Sequence, residues 1–163
     1  MMTKTEMCDF PKRKTPVHYP LHDTGDKPAI VYVTVCTATR KKILCSEVIH
    51  ELLLKVWNSA GSWLVGRYVV MPDHIHLFCS PAAVDAPPLG KWVQYWKTLV
   101  SRNWPKPDEQ PIWQKSFWDT QLRCSDRYDE KWEYVCQNPV RADFCAKYDD
   151  WLWQGELNVL EWY

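Results

Sequence analysis

The sequence predicts an α+β domain. It should carry a four-stranded antiparallel sheet in a ferredoxin-like (split βαβ, RRM-like) arrangement, with helices on one face plus a C-terminal helix. Three observations point there. Residues 30–37, 63–71 and 74–80 are short runs dense in β-branched and aromatic residues. Stretches near 46–60 and 89–104 carry apolar residues at helical spacing. The resulting order is strand, helix, strand, strand, helix, strand, helix, and its first six elements are the split βαβ pattern.

Ile30 to Thr37 reads as a central strand, followed by a polar turn at Arg40, Lys41 and Lys42. Ser46 is a suitable N-cap for a helix whose apolar face is Ile49, Leu52, Leu53, Val56 and Trp57, ending near Ala60-Gly61. Trp63 to Met71 and His74 to Ser80 form an antiparallel hairpin across Pro72-Asp73. After a proline-rich loop, Leu89, Trp92, Val93, Trp96, Leu99 and Val100 mark the buried face of a second helix, stopped by Trp104-Pro105. Lys91, Lys97 and Arg102 are expected on its polar side. The fourth strand falls in the latter half of 112–123. Ser125 or Asp126 then caps a third helix running to Gln137, with Asn138-Pro139 as its stop.

At 163 residues, with 46% hydrophobic and 25% charged residues, the chain reads as one globular domain. Its expected parts are an irregular basic arm (1–28), a central domain (29–144) and an acidic, tryptophan-containing tail (145–163). No apolar run approaches the roughly 18 residues of a membrane span. The first residues lack the apolar stretch of a signal peptide, so a cytoplasmic protein with no membrane partner is expected. Seven cysteines without a Cys-x-x-Cys pair argue against a disulfide framework or a zinc knuckle. The net charge of zero hides an asymmetry: residues 143–163 carry one Lys/Arg against five Asp/Glu, so the remainder is basic by four. That permits a phosphate-rich partner without requiring one.

Candidate chemistry centres on Tyr68-Val-Val-Met-Pro-Asp-His-Ile-His-Leu-Phe-Cys-Ser80. Alternate side chains of a strand share a face, so His74 and His76 point the same way and can hold a metal with a third ligand from elsewhere. Asp73 is placed either to orient the first ring as an acceptor or simply to make the turn. On the third helix, Tyr134 and Asn138 are four residues apart and are expected to share a face. An amide oxygen and a phenol beside two imidazoles suit metal-assisted attack on a phosphodiester. From spacing alone, an isolated His-x-His on a strand is more often structural than metal-binding.

These segments resemble the HUH single-tyrosine transposases, and in particular the REP-associated tyrosine transposases. The resemblance rests on His74-Ile75-His76 within Val-Val-Met-Pro-Asp-His-Ile-His-Leu. It also rests on Tyr134-Val-Cys-Gln-Asn-Pro-Val-Arg-Ala142, on Trp113-Gln114 with Phe117-Trp118-Asp119, and on residues 30–44. It runs in family order from about residue 30 to 144. It implies the HUH version of the ferredoxin-like fold. The implied activity is cleavage and rejoining of single-stranded DNA next to a short hairpin, through a 5′-phosphotyrosine. His74, His76 and Asn138 would be the metal ligands, Tyr134 the nucleophile, and magnesium or manganese (Mg2+ or Mn2+) the ion. Many relatives have Gln where this chain has Asn138. The protein would act as a monomer or homodimer, with Tyr134 working in its own chain or across a dimer. A catalytically silent hairpin-DNA binder is the alternative, and a phosphodiesterase without a covalent step a further one.

Basic residues expected to meet DNA are Lys12, Arg13 and Lys14 in the arm, Arg40, Lys41 and Lys42 in the first turn, and Arg123, Arg127 and Arg141 around the tyrosine helix. Tyr128 is the rival nucleophile, but it has Trp132 rather than an oxygen ligand four residues on. His18, His22 and His50 lack a partner pattern and are expected at the surface. Trp57, Trp92 and Trp96 are expected in the core. Trp113 and Trp118 lie nearer the candidate site, where a base-stacking role is open.

Overall fold

The computed structural model describes residues 16–18, 29–123 and 125–161. Lys12, Arg13, Lys14, His22 and Trp162 lie outside them. Five strands form one antiparallel sheet: β1 (Ile30–Cys36), β2 (Trp63–Met71), β3 (His74–Pro81), β4 (Trp118–Leu122) and β5 (Gln154–Glu156), in the order β4-β1-β3-β2-β5. Four helices accompany them: α1 (Glu47–Ser59), α2 (Leu89–Arg102), α3 (Ser125–Val135) and the single turn α4 (Asn138–Arg141). Two chain features set the frame. Ser46 caps α1 by accepting from the Ile49 N–H at 3.3 Å, and the two-residue turn Pro72-Asp73 folds β3 back on β2 so that Met71 opposes His74.

Both faces of the sheet are covered, which is why every residue of β1 is buried. Val31, Val33 and Val35 point to the face covered by α1 and α2, with Ile75, Leu77, Trp57, Trp92 and Trp96 in the same cluster. Ile30 and Tyr32 point the other way, toward a smaller cluster with Phe78, Tyr128, Val135 and Leu160. The second face therefore belongs to α3 and the C-terminal segment. His74 and His76 lie on it, because they share strand parity with Phe78.

The sheet has five strands rather than the four expected. The fifth comes from the acidic tail, whose sequence shows no strand-like run. It is held to β2 by backbone and by an indole: the Val70 N–H donates to Trp153 O at 2.7 Å, and the Trp151 side chain donates from Nε1–H to Val70 O at 3.0 Å. Register, not propensity, makes it a strand. The tail then crosses β2 at Gly66, where a Cβ would sit 2.6 Å from the Leu160 side chain and 2.9 Å from Tyr128 Oη. Only glycine admits that approach.

Two further expectations are corrected. Lys97 is not on a polar face of α2. It is 3% exposed, and its ammonium donates to the Gln114 carbonyl at 2.6 Å. The third helix does not run to Gln137 but ends at Val135, and Asn138 opens α4. Pro139 has no N–H for the Val135 carbonyl, so the ladder stops and restarts with proline in the first turn of α4. Among the described residues no helix is long and apolar enough to cross a membrane.

Candidate active site

His76 is fully buried at the middle of the sheet, opposite Thr34 on β1. Its Nδ1 lies 2.7 Å from Tyr32 Oη and 2.9 Å from Thr34 Oγ1. A hydroxyl that accepts the Nδ1 proton leaves the lone pair on Nε2, the tautomer in which Nε2 can bind a metal. Nε2 is buried and makes no hydrogen bond with any described residue. Burial first, then the nearby positive groups His74, Lys131, Arg141 and Arg40, push the His76 pKa well below its ordinary value. The ring is neutral at pH 7, the form that binds metals.

His74 is oriented by its own neighbour. Asp73 Oδ1 is 2.7 Å from His74 Nδ1, and a carboxylate only accepts, so Nδ1 carries a proton. Arg40 Nη2 lies 3.4 Å from the same nitrogen. Both atoms are donors, so we read this as a contact and assign the Arg40 bond to Asp73 Oδ2, which accepts from Nε–H at 2.9 Å. Burial alone would raise the Asp73 carboxyl; the hydrogen bonds and charges of His74 and Arg40 overcome it and hold the pKa at about 2. Asp73 is thus a fixed anion. Arg40 reaches it from a turn in which Thr39 and Arg40 both adopt positive φ (53° and 56°), a conformation costing roughly 1–2 kcal/mol per residue.

The two imidazoles meet at 4.7 Å between centroids, nearly perpendicular. Asn138 lines one cavity with His74. Its Oδ1 accepts from Arg141 Nη2 at 2.6 Å, leaving a second lone pair, while its buried Nδ2 has no partner among the described residues. Among the described residues no three His, Cys, Asp or Glu side chains gather as a metal group. An ion here would therefore need the Asn138 amide as third ligand. The residues fit such an ion: two adjacent buried imidazoles and one buried amide suit magnesium or, better, manganese.

Tyr134 does not line the Asn138 cavity. It is 36% exposed and lines a second cavity of about 390 Å³ with Tyr32, Thr34, Trp118, Arg127 and Lys131. The break after Val135 puts the two residues on separate helices, and they line different cavities. Arg141 reconnects them, its guanidinium carbon lying 4.1 Å from the Tyr134 ring centroid while the same group bonds Asn138. Lys131 sits over the Tyr32 and Tyr134 rings at 4.7 and 5.5 Å. Tyr128, the rival, is core: it is 6% exposed, its ring lies against Phe78, and burial raises its pKa to about 12.

The basic residues scatter. Arg40, Lys42 and Arg141 line the His74 cavity and Arg127 the Tyr134 cavity. Arg123 is exposed at the end of β4. Lys41 is tied to the carbonyls of Glu109 and Pro111 at 2.8 and 3.2 Å. Trp118 half-lines the second cavity, whereas Trp113 donates to Lys97 O from the core. His18 pairs with Asp119 and stacks on Phe117, and His50 Nε2 bonds Tyr68 Oη at 2.8 Å, so neither is an unengaged surface histidine. The sequence reading passed over Tyr32, Thr34, Lys131 and Phe144. Tyr32 and Thr34 share strand parity, a visible signal, but only the register of β1 on β3 sets them against His76.

Fold and site together define a class: antiparallel-sheet proteins with a paired-histidine centre beside a basic cavity. No family model matches the chain. A Haemophilus influenzae protein provisionally named a REP-associated tyrosine transposase is 28% identical over 143 residues, covering 77% of this chain and 78% of the relative. A solved REP-associated tyrosine transposase bound to a REP hairpin superposes with a TM-score of 0.67 at 20% identity, over 85% of this chain and 81% of the other. A crystal structure from Deinococcus radiodurans, provisionally called a transposase, gives a TM-score of 0.50 at 18% identity, over 77% of this chain and 98% of the other. With the motifs of the sequence, these likenesses identify the chain as a relative of the REP-associated tyrosine transposases.

Proposed function

We propose that the protein is a metal-dependent, single-strand-specific DNA endonuclease and strand transferase acting beside a short hairpin. In this reading the strands β4-β1-β3-β2, with α1 and α2 on one face, are the ferredoxin-like HUH core, and β5 is an addition to its edge. The observation that carries the proposal is the pair of adjacent imidazoles, each with its Nδ1 engaged by neighbouring side chains, with His74 lining one cavity beside Asn138, whose Oδ1 bonds the Arg141 guanidinium that stacks on Tyr134. The hairpin bound in the solved relative supports hairpin DNA as the class of substrate.

His74, His76 and Asn138 would hold the magnesium or manganese ion, which when bound polarises the phosphate and eases departure of the 3′ oxygen. Asp73 keeps His74 in the ligating tautomer, and Tyr32 with Thr34 does the same for His76. Tyr134 Oη forms the new bond to phosphorus as the P–O3′ bond breaks; the proton lost by the phenol is balanced by the one gained by the departing 3′ oxygen. Arg141 and Lys131 flank the phenol and offset the charge on the reacting phosphate. Rejoining is the reverse reaction with a different 3′-hydroxyl.

Incubated with hairpin-bearing single-stranded DNA and manganese, the protein should form a covalent adduct resolvable on a denaturing gel. Tyr134→Phe should abolish it while leaving DNA binding intact. An adduct of equal yield in Tyr134→Phe would overturn the assignment. Binding with no adduct in the unaltered protein would leave a silent hairpin binder.

A further inference from the structure

Two cavities flank the histidine pair, and they differ in chemistry. The first, of about 140 Å³, contains His74 and is lined by Met71, Pro72, Ala142 and Phe144 under a rim of Arg40 and Lys42. That is ample room beyond the roughly 10–15 Å³ an ordered water needs. Its one acidic side chain, Asp73, is already committed to Arg40 and His74. The second cavity contains Tyr134, and there Asp119 and Glu130 oppose Arg127 and Lys131. The ridge between the cavities is made by Arg141, which lines the first and stacks on the tyrosine of the second.

Phe144 is built into this arrangement rather than left over from it. Asp143, just before it, has φ of 60°, a left-handed conformation disfavoured for a side-chain-bearing residue. That turn lets the Phe144 N–H donate to Pro139 O at 2.9 Å. The ring stacks on Trp151 with centroids 5.6 Å apart and planes 18° from parallel. It is nonetheless 47% exposed and lines the cavity. A rigid aromatic face, an apolar floor and a cationic rim together suit a nucleobase and its phosphate.

In-line displacement then orients the strand. The attacking and leaving oxygens lie on opposite sides of phosphorus. Tyr134 approaches from the second cavity, so the departing 3′ oxygen faces the first. We infer that the Phe144 cavity is the subsite for the nucleotide on the 5′ side of the cut, the one released with a free 3′-hydroxyl, its base stacking on Phe144 and its backbone held by Lys42. The Tyr134 cavity takes the strand that becomes bound to the protein. This rests on the nuclease reading above for its orientation, but it makes a prediction about binding alone.

The test uses two single-stranded oligonucleotides of equal length and composition, bound to Tyr134→Phe protein with manganese. One ends in a 3′-phosphate and mimics the departing side; the other begins with a 5′-phosphate. Phe144→Ala should weaken the 3′-phosphate strand about tenfold and leave the 5′-phosphate strand unchanged, which also shows that the variant is folded. Lys42→Ala, at an exposed position, should weaken the same strand about threefold. Equal losses on both strands, a loss confined to the 5′-phosphate strand, or no loss in either variant would overturn the subsite. Asymmetric binding without adduct formation by the unaltered protein would keep the subsite and remove the chemistry. Adduct formation with symmetric binding would do the reverse.

Discussion

Lys97 shows how one residue departs from the pattern of its helix. Flanked by Trp96 and Thr98, it reads as solvent-facing, yet its ammonium is inserted beneath the segment leading to β4 and donates to Gln114 O. Burial lowers its pKa to about 8 against an unperturbed 10.5. Between those values the unfolded chain binds more protons than the folded one, so stability rises with pH across that window. Below pH 8 both states are protonated and the full cost of burying the charge is present. Lys97→Met removes this dependence. Urea titrations at pH 7 and pH 10.5 should show the difference between unaltered protein and variant shifting toward the unaltered protein by up to about 3 kcal/mol. A constant difference would mean that Lys97 is solvated. Tyr128 and Tyr134 teach a related lesson, because both are tyrosines of α3, and burial rather than identity separates a core ring from a candidate nucleophile.

At the scale of elements, the acidic tail gains a role its composition conceals. Its backbone completes the sheet at the β2 edge, and Trp151 and Leu160 enter the cluster beneath α3. Cutting the chain after Ala146 would therefore expose an unpaired edge and apolar surface, an aggregation hazard in itself. The tail's charges are separable from its packing. Glu156 lies 3.8 Å from Arg67, while Asp149 and Asp150 form an exposed turn against α4, the helix that carries Asn138 and Arg141. Asp149→Asn with Asp150→Asn should raise affinity for single-stranded DNA about two- to fivefold at low salt, with the gain shrinking as salt rises. Unchanged affinity at low salt would show that these carboxylates do not repel the substrate. The break between α3 and α4 is the other element with consequences. It sends Tyr134 and Asn138 to different cavities and leaves Arg141 to join them.

Taken whole, the molecule is a sheet with one face given to structure and the other to chemistry. The α1 and α2 face is apolar; the opposite face holds the buried histidine pair. Five cations line the two cavities: Arg40, Lys42 and Arg141 in one, Arg127 and Lys131 in the other. A neutral chain can therefore concentrate cations near the histidine pair. If these cations meet phosphates, the logarithm of the binding constant for single-stranded DNA should fall with the logarithm of salt concentration at a slope of about −2 to −4, measured on Tyr134→Phe. A slope near zero would place the nucleic-acid surface elsewhere.

Much of this was legible in the sequence. β2 falls on the predicted residues and β3 on all but one, because apolar runs with a two-residue turn leave little freedom of register. The Ser46 cap was equally clear, since capping is local chemistry. His74, His76 and Asp73 were visible as candidates because strand alternation and adjacency are short-range facts. What the sequence could not supply were relations between distant segments. Thr34 opposite His76, Arg40 folded back on Asp73, Arg141 between Asn138 and Tyr134, and a polar tail used as a strand all depend on register and chain reversal. Local propensity determined which residues form strands and helices; only the packing of those elements against one another decided which side chains share a site.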